Sequence, residues 1–163
     1  MDVQGAGKAR PYLERANASF TTLIDEYGVL AEKYGFKAIP NGLLINEKGF
    51  LDYMSFKGFD IRHTETNNTL RNWITNSKPK DESFASPLDS NRPSIVFNLF
   101  QQGAVLYKQG RIKDGIDLWK QAVNLEPDNY LIRKQIWAIE NPDKFYQGDV
   151  DYIWQREQLE KGL

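Results

Sequence analysis

A run of residues in the first half of the chain predicts a β-hairpin and so limits the folds available to it. Residues 39–42, Ile-Pro-Asn-Gly, lead directly into the apolar stretch Leu43–Ile45. A tight turn at Asn46–Gly49 follows, and Phe50–Phe56 forms a second strand-like run. Apolar runs bounded by proline, asparagine and glycine are typical of strands joined by a short loop. We therefore predict that the first half of the chain contains a β-sheet.

The chain of 163 residues contains no cysteine, which excludes disulfides, thiolate metal sites and thiol nucleophiles. Its 21 basic and 22 acidic residues are mixed along the sequence, so neither nucleic acid nor acidic lipid is an expected partner. No apolar run reaches the roughly 20 residues that a membrane span needs. The compartment stays open, with the cytoplasm as the default.

The patterns predict an α/β domain at residues 1–76, a linker at 77–93 and an all-α domain at 94–163. The linker contains three prolines among polar residues and has no sustained apolar period. In the first domain we predict helices at Gly7–Ala16, Glu26–Tyr34 and about Glu65–Asn76, with an extended segment at Ser19–Ile24.

Helical patterns continue without interruption through the second domain. Apolar and small positions fall on one face of Val96–Tyr107 and again on one face of Ile112–Val123, with Gly110 between the two helices. A third helix should begin after an N-cap at Asp128 or Asn129 and end at Asn141, before a proline. We also predict a fourth helix at residues 149–159.

The segment from Val96 to Asn129 spans 34 residues, the period of the tetratricopeptide repeat. It resembles one such repeat at Leu99, Gly103, Leu106, Gly110, Ile112, Ile116, Trp119, Ala122 and Pro127. In this resemblance small residues let the helix backbones approach, and Trp119 fills the gap between them. Gly115 departs from the usual alanine, at an expected cost of about 1 kcal/mol. The alternative is an ordinary helical hairpin.

A single repeat of this kind cannot bury both of its faces and needs another element to pack against it, because arrays usually require at least about three units for stability. We expect the third helix to cover the hairpin with Ile132, Ile136 and Trp137. We also expect the aromatic tail to fold back, through Phe145, Tyr146, Tyr152 and Trp154. The helical part would then be a packed appendage and a possible homodimer surface rather than a long peptide-binding solenoid.

Residues from Asp2 to about Ile74 resemble the back half of a thioredoxin-like domain of the peroxiredoxin and cytochrome-maturation type. The resemblance rests on four segments, Ala9–Glu14, Phe20–Asp25, Leu30–Phe36 and Ile39-Pro40. It implies a cis bond between Ile39 and Pro40 that presents backbone to an extended peptide; a trans proline at the start of a strand is the alternative. It also implies a parent enzyme that reduces disulfides or peroxides.

The front of that family's fold, which carries the redox disulfide, has no counterpart in this sequence. A sheet without its central strands would have unpaired edges that invite pairing with another chain. Three explanations are open: a truncated reading frame, which we rank first, a strand supplied by a partner or by swapping, and an independently rearranged small domain.

The sequence assembles no catalytic, cofactor or metal site. His63 is the only histidine, and Gly5–Lys8 lacks the hydroxyl residue that would complete a phosphate-binding loop. The neighbouring carboxylates at 25 and 26, and those at 149 and 151, fit helix capping and surface solvation better than acid–base or calcium chemistry.

We therefore expect a non-catalytic thioredoxin-like and tetratricopeptide-like chain, without a cofactor, that acts by binding a protein partner or a second copy of itself. The alternative is a tetratricopeptide-type adaptor unrelated to redox chemistry. An enzyme that uses non-thiol chemistry has little residue support.

Overall fold

The computed structural model describes residues 2–56, 58–76 and 94–162, and within them the chain is mostly helical with one small sheet. The predicted linker at 77–93 lies outside the described residues. The described elements, in chain order, are helices α1 (Ala6–Arg15) and α2 (Val29–Tyr34), strands β1 (Gly42–Ile45) and β2 (Leu51–Ser55), and helices α3 (Thr64–Asn76), α4 (Ile95–Lys108), α5 (Ile112–Leu125), α6 (Tyr130–Glu140), α7 (Asp143–Tyr146) and α8 (Tyr152–Glu160). A mixed segment followed by an all-helical segment agrees with the predicted order.

The chain forms two compact units whose bounds differ from the domains predicted from the sequence. The first unit joins Met1–Tyr27 to Ile95–Leu163, and the second is Gly28–Ser94. The prediction instead assigned the N-terminal residues to the same domain as the hairpin, because helical and extended patterns alternate along that part of the chain.

Strands β1 and β2 form an antiparallel hairpin in the second unit, as the sequence predicts. The turn closes through bonds from the Asn46 amide to the Phe50 carbonyl and from the Gly49 amide to the Asn46 carbonyl, both 2.9 Å. Helix α3 is tied to the hairpin because the Trp73 Nε1 donates to an Asp52 carboxylate oxygen at 3.1 Å. The described sheet has two strands.

Two predicted segments in the first 34 residues differ from the structure. The helix predicted at Glu26–Tyr34 begins only at Val29, because Gly28 has a left-handed backbone with φ of 69° that an α-helix cannot contain. The segment predicted as extended at Ser19–Ile24 belongs to no strand. Helix α1 agrees with its prediction to within one residue at each end.

The packing of α4 against α5 forms the centre of the first unit. Trp119 is fully buried, stacks on Phe100 with ring centroids 5.8 Å apart, and donates its Nε1 to the Phe100 carbonyl at 3.0 Å. A Cβ atom on Gly103 would overlap the Trp119 indole, so only glycine allows this approach. Gly115 lies at the same crossing, and the expected benefit of alanine there is wrong because a Cβ would strike the Gly103 carbonyl.

Helix α6 covers this hairpin as predicted. Asn129 is its N-cap, and the side-chain oxygen accepts from the Ile132 amide at 3.2 Å. Ile132 and Ile136 join the core of α4 and α5, whereas Trp137 packs in a second cluster with Phe145 and Trp154. Tyr152 does not fold back as expected; it is the first residue of α8 and is 67% exposed.

The N-terminal residues complete the core of the first unit, which the sequence analysis did not predict. Val3 is 2% exposed among the core side chains of α4, α5 and α6, and its amide donates to the Gln135 Oε1 at 3.0 Å. Gln4 donates its Nε2 to the Tyr146 hydroxyl at 2.6 Å. Burial, with the Asp2 carboxylate as a second cause, raises the pKa of Tyr146 to about 12.

Candidate functional site

The residues of the tetratricopeptide resemblance lie together on α4, α5 and the loops that follow them. Leu99, Gly103, Ile116, Trp119 and Ala122 belong to or pack on one core. Leu106 is half-buried, Gly110 turns the chain with φ of 82°, and Pro127 follows the end of α5. Ile112 differs, because it is the first residue of α5 and is 46% exposed rather than part of the packed face.

The residues singled out in the thioredoxin-like segment lie in the second unit. The bond between Ile39 and Pro40 is cis, as the flanking pattern favoured, and Ile39 is 62% exposed. The Pro40 carbonyl accepts from the Phe59 amide at 3.4 Å. A role of this bond in peptide binding stays a prediction.

The polar candidates stay apart from one another. The His63 side chain is 73% exposed, and Asp151 caps α8. Glu26 forms an ion pair with Lys108. Among the residues that the structure describes, no three histidine or acidic side chains are grouped so that they could hold a metal ion.

A groove of about 640 Å³ in the first unit, not predicted from the sequence, is the strongest candidate for a binding site. It is lined by residues of α5, α6 and α8, and its aromatic wall consists of Trp137 and Trp154. Their ring centroids are 5.7 Å apart at an interplanar angle of 75°, the edge-to-face arrangement that aromatic pairs prefer. We call this site the tryptophan groove.

Arg133 lines the tryptophan groove and is 8% exposed. Its Nη2 donates to the Pro127 carbonyl at 3.0 Å, and its guanidinium carbon lies 5.8 Å from the centroid of the Trp137 ring. These contacts hold a positive charge next to an aromatic face, where the ring quadrupole is attractive.

Polar side chains form the rim of the tryptophan groove. Lys120 on α5 and Glu140 on α6 form an ion pair of 2.8 Å across it. Asn141 donates its Nδ2 to the Trp137 carbonyl at 3.4 Å, and Gln158 donates its Nε2 to the Trp154 carbonyl at 3.5 Å. Each amide side chain carries two N–H donors and a carbonyl acceptor. Asn141 is half-buried and offers these groups to a ligand more readily than Gln158, which is 9% exposed.

Helical spacing explains why these residues meet. Lys120 and Asn124 on α5 are four residues apart, as are Arg133 and Trp137 on α6 and Trp154 and Gln158 on α8. Side chains at this spacing share one face of a helix. The sequence predicts the two tryptophans as packing residues, and the signal for their polar neighbours is this spacing of four residues.

The start of α8 is fixed by an N-cap that places Trp154. The Asp151 Oδ1 accepts from the Trp154 amide at 2.9 Å, and the Lys144 Nζ lies 3.2 Å from the other carboxylate oxygen. The bond from the Trp154 amide, followed by the contact with Lys144, lowers the pKa of Asp151. The ionised carboxylate is therefore the form of Asp151 that caps α8 more strongly.

No protein-family model, curated protein or solved structure matches this chain. The thioredoxin-like and tetratricopeptide-like assignments accordingly stay predictions from the sequence. None of the helices in the described ranges is long and apolar enough to cross a membrane.

Proposed function

We propose that this chain is a protein-interaction module that binds an extended peptide segment of a partner protein in the tryptophan groove. The observation that carries the proposal is the combination of an aromatic wall, formed by Trp137 and Trp154, with an amide-bearing rim. Peptide sites typically combine an apolar pocket for a side chain with polar groups that pair with the peptide backbone.

The charge of the tryptophan groove favours a particular kind of peptide. Among the described residues that line it, Lys120 and Arg133 are basic and Glu140 is acidic. One positive charge is therefore in excess, next to an aromatic surface. We expect the bound segment to insert an apolar or aromatic side chain beside the tryptophans and to carry an acidic residue nearby.

Two forms of this proposal differ in the place where the peptide binds. A non-catalytic descendant of a thioredoxin-like oxidoreductase would bind it beside Ile39 and Pro40. An adaptor unrelated to redox chemistry would bind it on the helical unit. We favour the helical unit because the groove of about 640 Å³ there has both apolar and polar lining groups.

The test is to select peptides on the protein from a phage-displayed random library and to measure their affinities by fluorescence anisotropy. We compare Asn124→Arg, which places a long cation at the rim of the groove, with Gln121→Arg, an exposed position on the same helix that does not line it. A third variant, Ile39→Arg, alters the cis-proline site instead.

We expect Asn124→Arg to weaken binding at least tenfold while Gln121→Arg and Ile39→Arg leave it unchanged. Loss of binding only in Ile39→Arg would show that the peptide binds beside Ile39 and Pro40 and not in the tryptophan groove. Failure to select any peptide, or equal affinity for all variants, would refute binding at both sites.

A further inference from the structure

An uncharged segment of the first unit, strand-like in composition, has no backbone hydrogen bond to any other described residue. Residues 19–24, Ser-Phe-Thr-Thr-Leu-Ile, connect α1 to the turn before α2 and belong to no helix or strand. Within the described ranges, no hydrogen bond involves any of these six residues. Phe20 is 71% exposed and Leu23 is 83% exposed. We call residues 19–24 the Phe20 segment.

The composition of the Phe20 segment is that of a β-strand. Aromatic and β-branched residues are enriched in strands, and they occupy four of the five positions from Phe20 to Ile24, the fifth being Leu23. The run contains no charge, proline or glycine, the residues with which proteins usually protect an exposed strand against pairing. Solvent exposure of such a run is costly, because its apolar side chains and its backbone groups both gain from pairing.

A complementary surface lies in the second unit, at the outer edge of β1. Residues 42–45 pair with β2 alone, and in the described part of the chain their backbone makes no bond beyond that ladder. Ile45 at the end of this edge is 45% exposed. A two-stranded hairpin is only marginally stable by itself, and a third strand increases its stability.

We propose that the Phe20 segment of one copy pairs with the outer edge of β1 in a second copy, adding a third strand to that sheet. A second copy is the occupant because, among the described residues, each chain carries one strand-like segment and one sheet edge without backbone bonds, in equal number. The added strand would place Phe20 and Leu23 on opposite faces of the enlarged sheet, each beside side chains of β1, and would pair the backbone groups of both strands. This association uses no residue of the tryptophan groove and is independent of peptide binding there.

The test measures molar mass by size-exclusion chromatography with light scattering over a dilution series of the full chain. Leu23→Lys adds a charge to the Phe20 segment, and Thr22→Pro removes one of its amides. Ile153→Lys is the matched control, since Ile153 is 74% exposed on α8 and outside both the segment and the groove. Circular dichroism verifies that each variant keeps the helical content of the wild type.

We expect the wild type and Ile153→Lys to associate as concentration rises, and the two segment variants to need at least tenfold more protein to do so. Hydrogen exchange should show that residues 20–24 and 42–45 gain protection together on association. A wild type that stays monomeric at every concentration would refute the proposal. Association that is unchanged in both segment variants would also refute it.

Discussion

Gly103 and Gly115 approach each other so closely that neither position can hold a side chain. A Cβ atom on Gly115 would lie 2.7 Å from the Gly103 carbonyl oxygen, and one on Gly103 would lie 2.8 Å from the Gly115 carbonyl oxygen. Both obstacles are backbone atoms within helices, which cannot move aside as a flexible side chain can. The crossing of α4 and α5 therefore depends on this pair.

Gly115→Ala should destabilise the protein although alanine is the better helix former. The helix gains about 1 kcal/mol from the substitution, but overpacking a close contact costs about 1 to 3 kcal/mol, so we expect a net loss in the free energy of unfolding. Urea denaturation followed by circular dichroism measures it. Gly7→Ala is the control, because that helical position on α1 has open space around it and should gain up to about 1 kcal/mol. Equal gains at both positions would contradict the close approach.

Val3→Ala should lower the free energy of unfolding by about 2 kcal/mol, from the loss of buried methyl groups and the cavity that remains. The prediction follows from the position of Val3 in the core of the helical unit. Val105→Ala, at a position on α4 that is 45% exposed, should change stability little. Denaturant unfolding followed by tryptophan fluorescence compares the two; similar values would show that Val3 is not packed in that core.

Acid should weaken the start of α8, because its N-cap residue Asp151 becomes protonated. The folded state lowers the pKa of Asp151 below its usual value of 3.8, so the carboxylate stabilises the fold above that pH. This contribution is lost as the pH falls through the lowered pKa. Asp151→Asn keeps a capping oxygen but no longer titrates.

Amide hydrogen exchange of residues 152–158 between pH 5 and pH 2, corrected for intrinsic rates, measures this effect. We expect protection to fall with pH more steeply in the wild type than in Asp151→Asn. Parallel profiles would mean that the ionised cap does not stabilise the helix.

Local signals in the sequence were sufficient for most elements of the fold. The hairpin follows from the apolar runs around Asn46–Gly49, and α6 follows from its Asn129 cap and the proline after Asn141. The contacts of Val3 were not predictable in this way, because its partners on α6 are about 130 residues distant and no periodic pattern links them. The tryptophan groove was missed for a similar reason: three helices each contribute part of it.

The short helix α2 shows how one residue can override a pattern. The apolar spacing from Glu26 to Tyr34 favours a longer helix, yet the left-handed backbone of Gly28 delays its start to Val29. Glycine adopts this conformation freely, so periodicity alone cannot show which glycine will use it.

The bond between the Val3 amide and Gln135 joins residues that are 132 positions apart, and this separation determines when the first unit can form during synthesis. At roughly 5 to 20 residues per second, the ribosome needs roughly 7 to 26 seconds to proceed from one to the other. The complete second unit is translated within that interval and can fold first. Val3 can meet its core partners on α4 and α5 earlier, but its bond to Gln135 and its contacts with α6 form only after α6 has been synthesised.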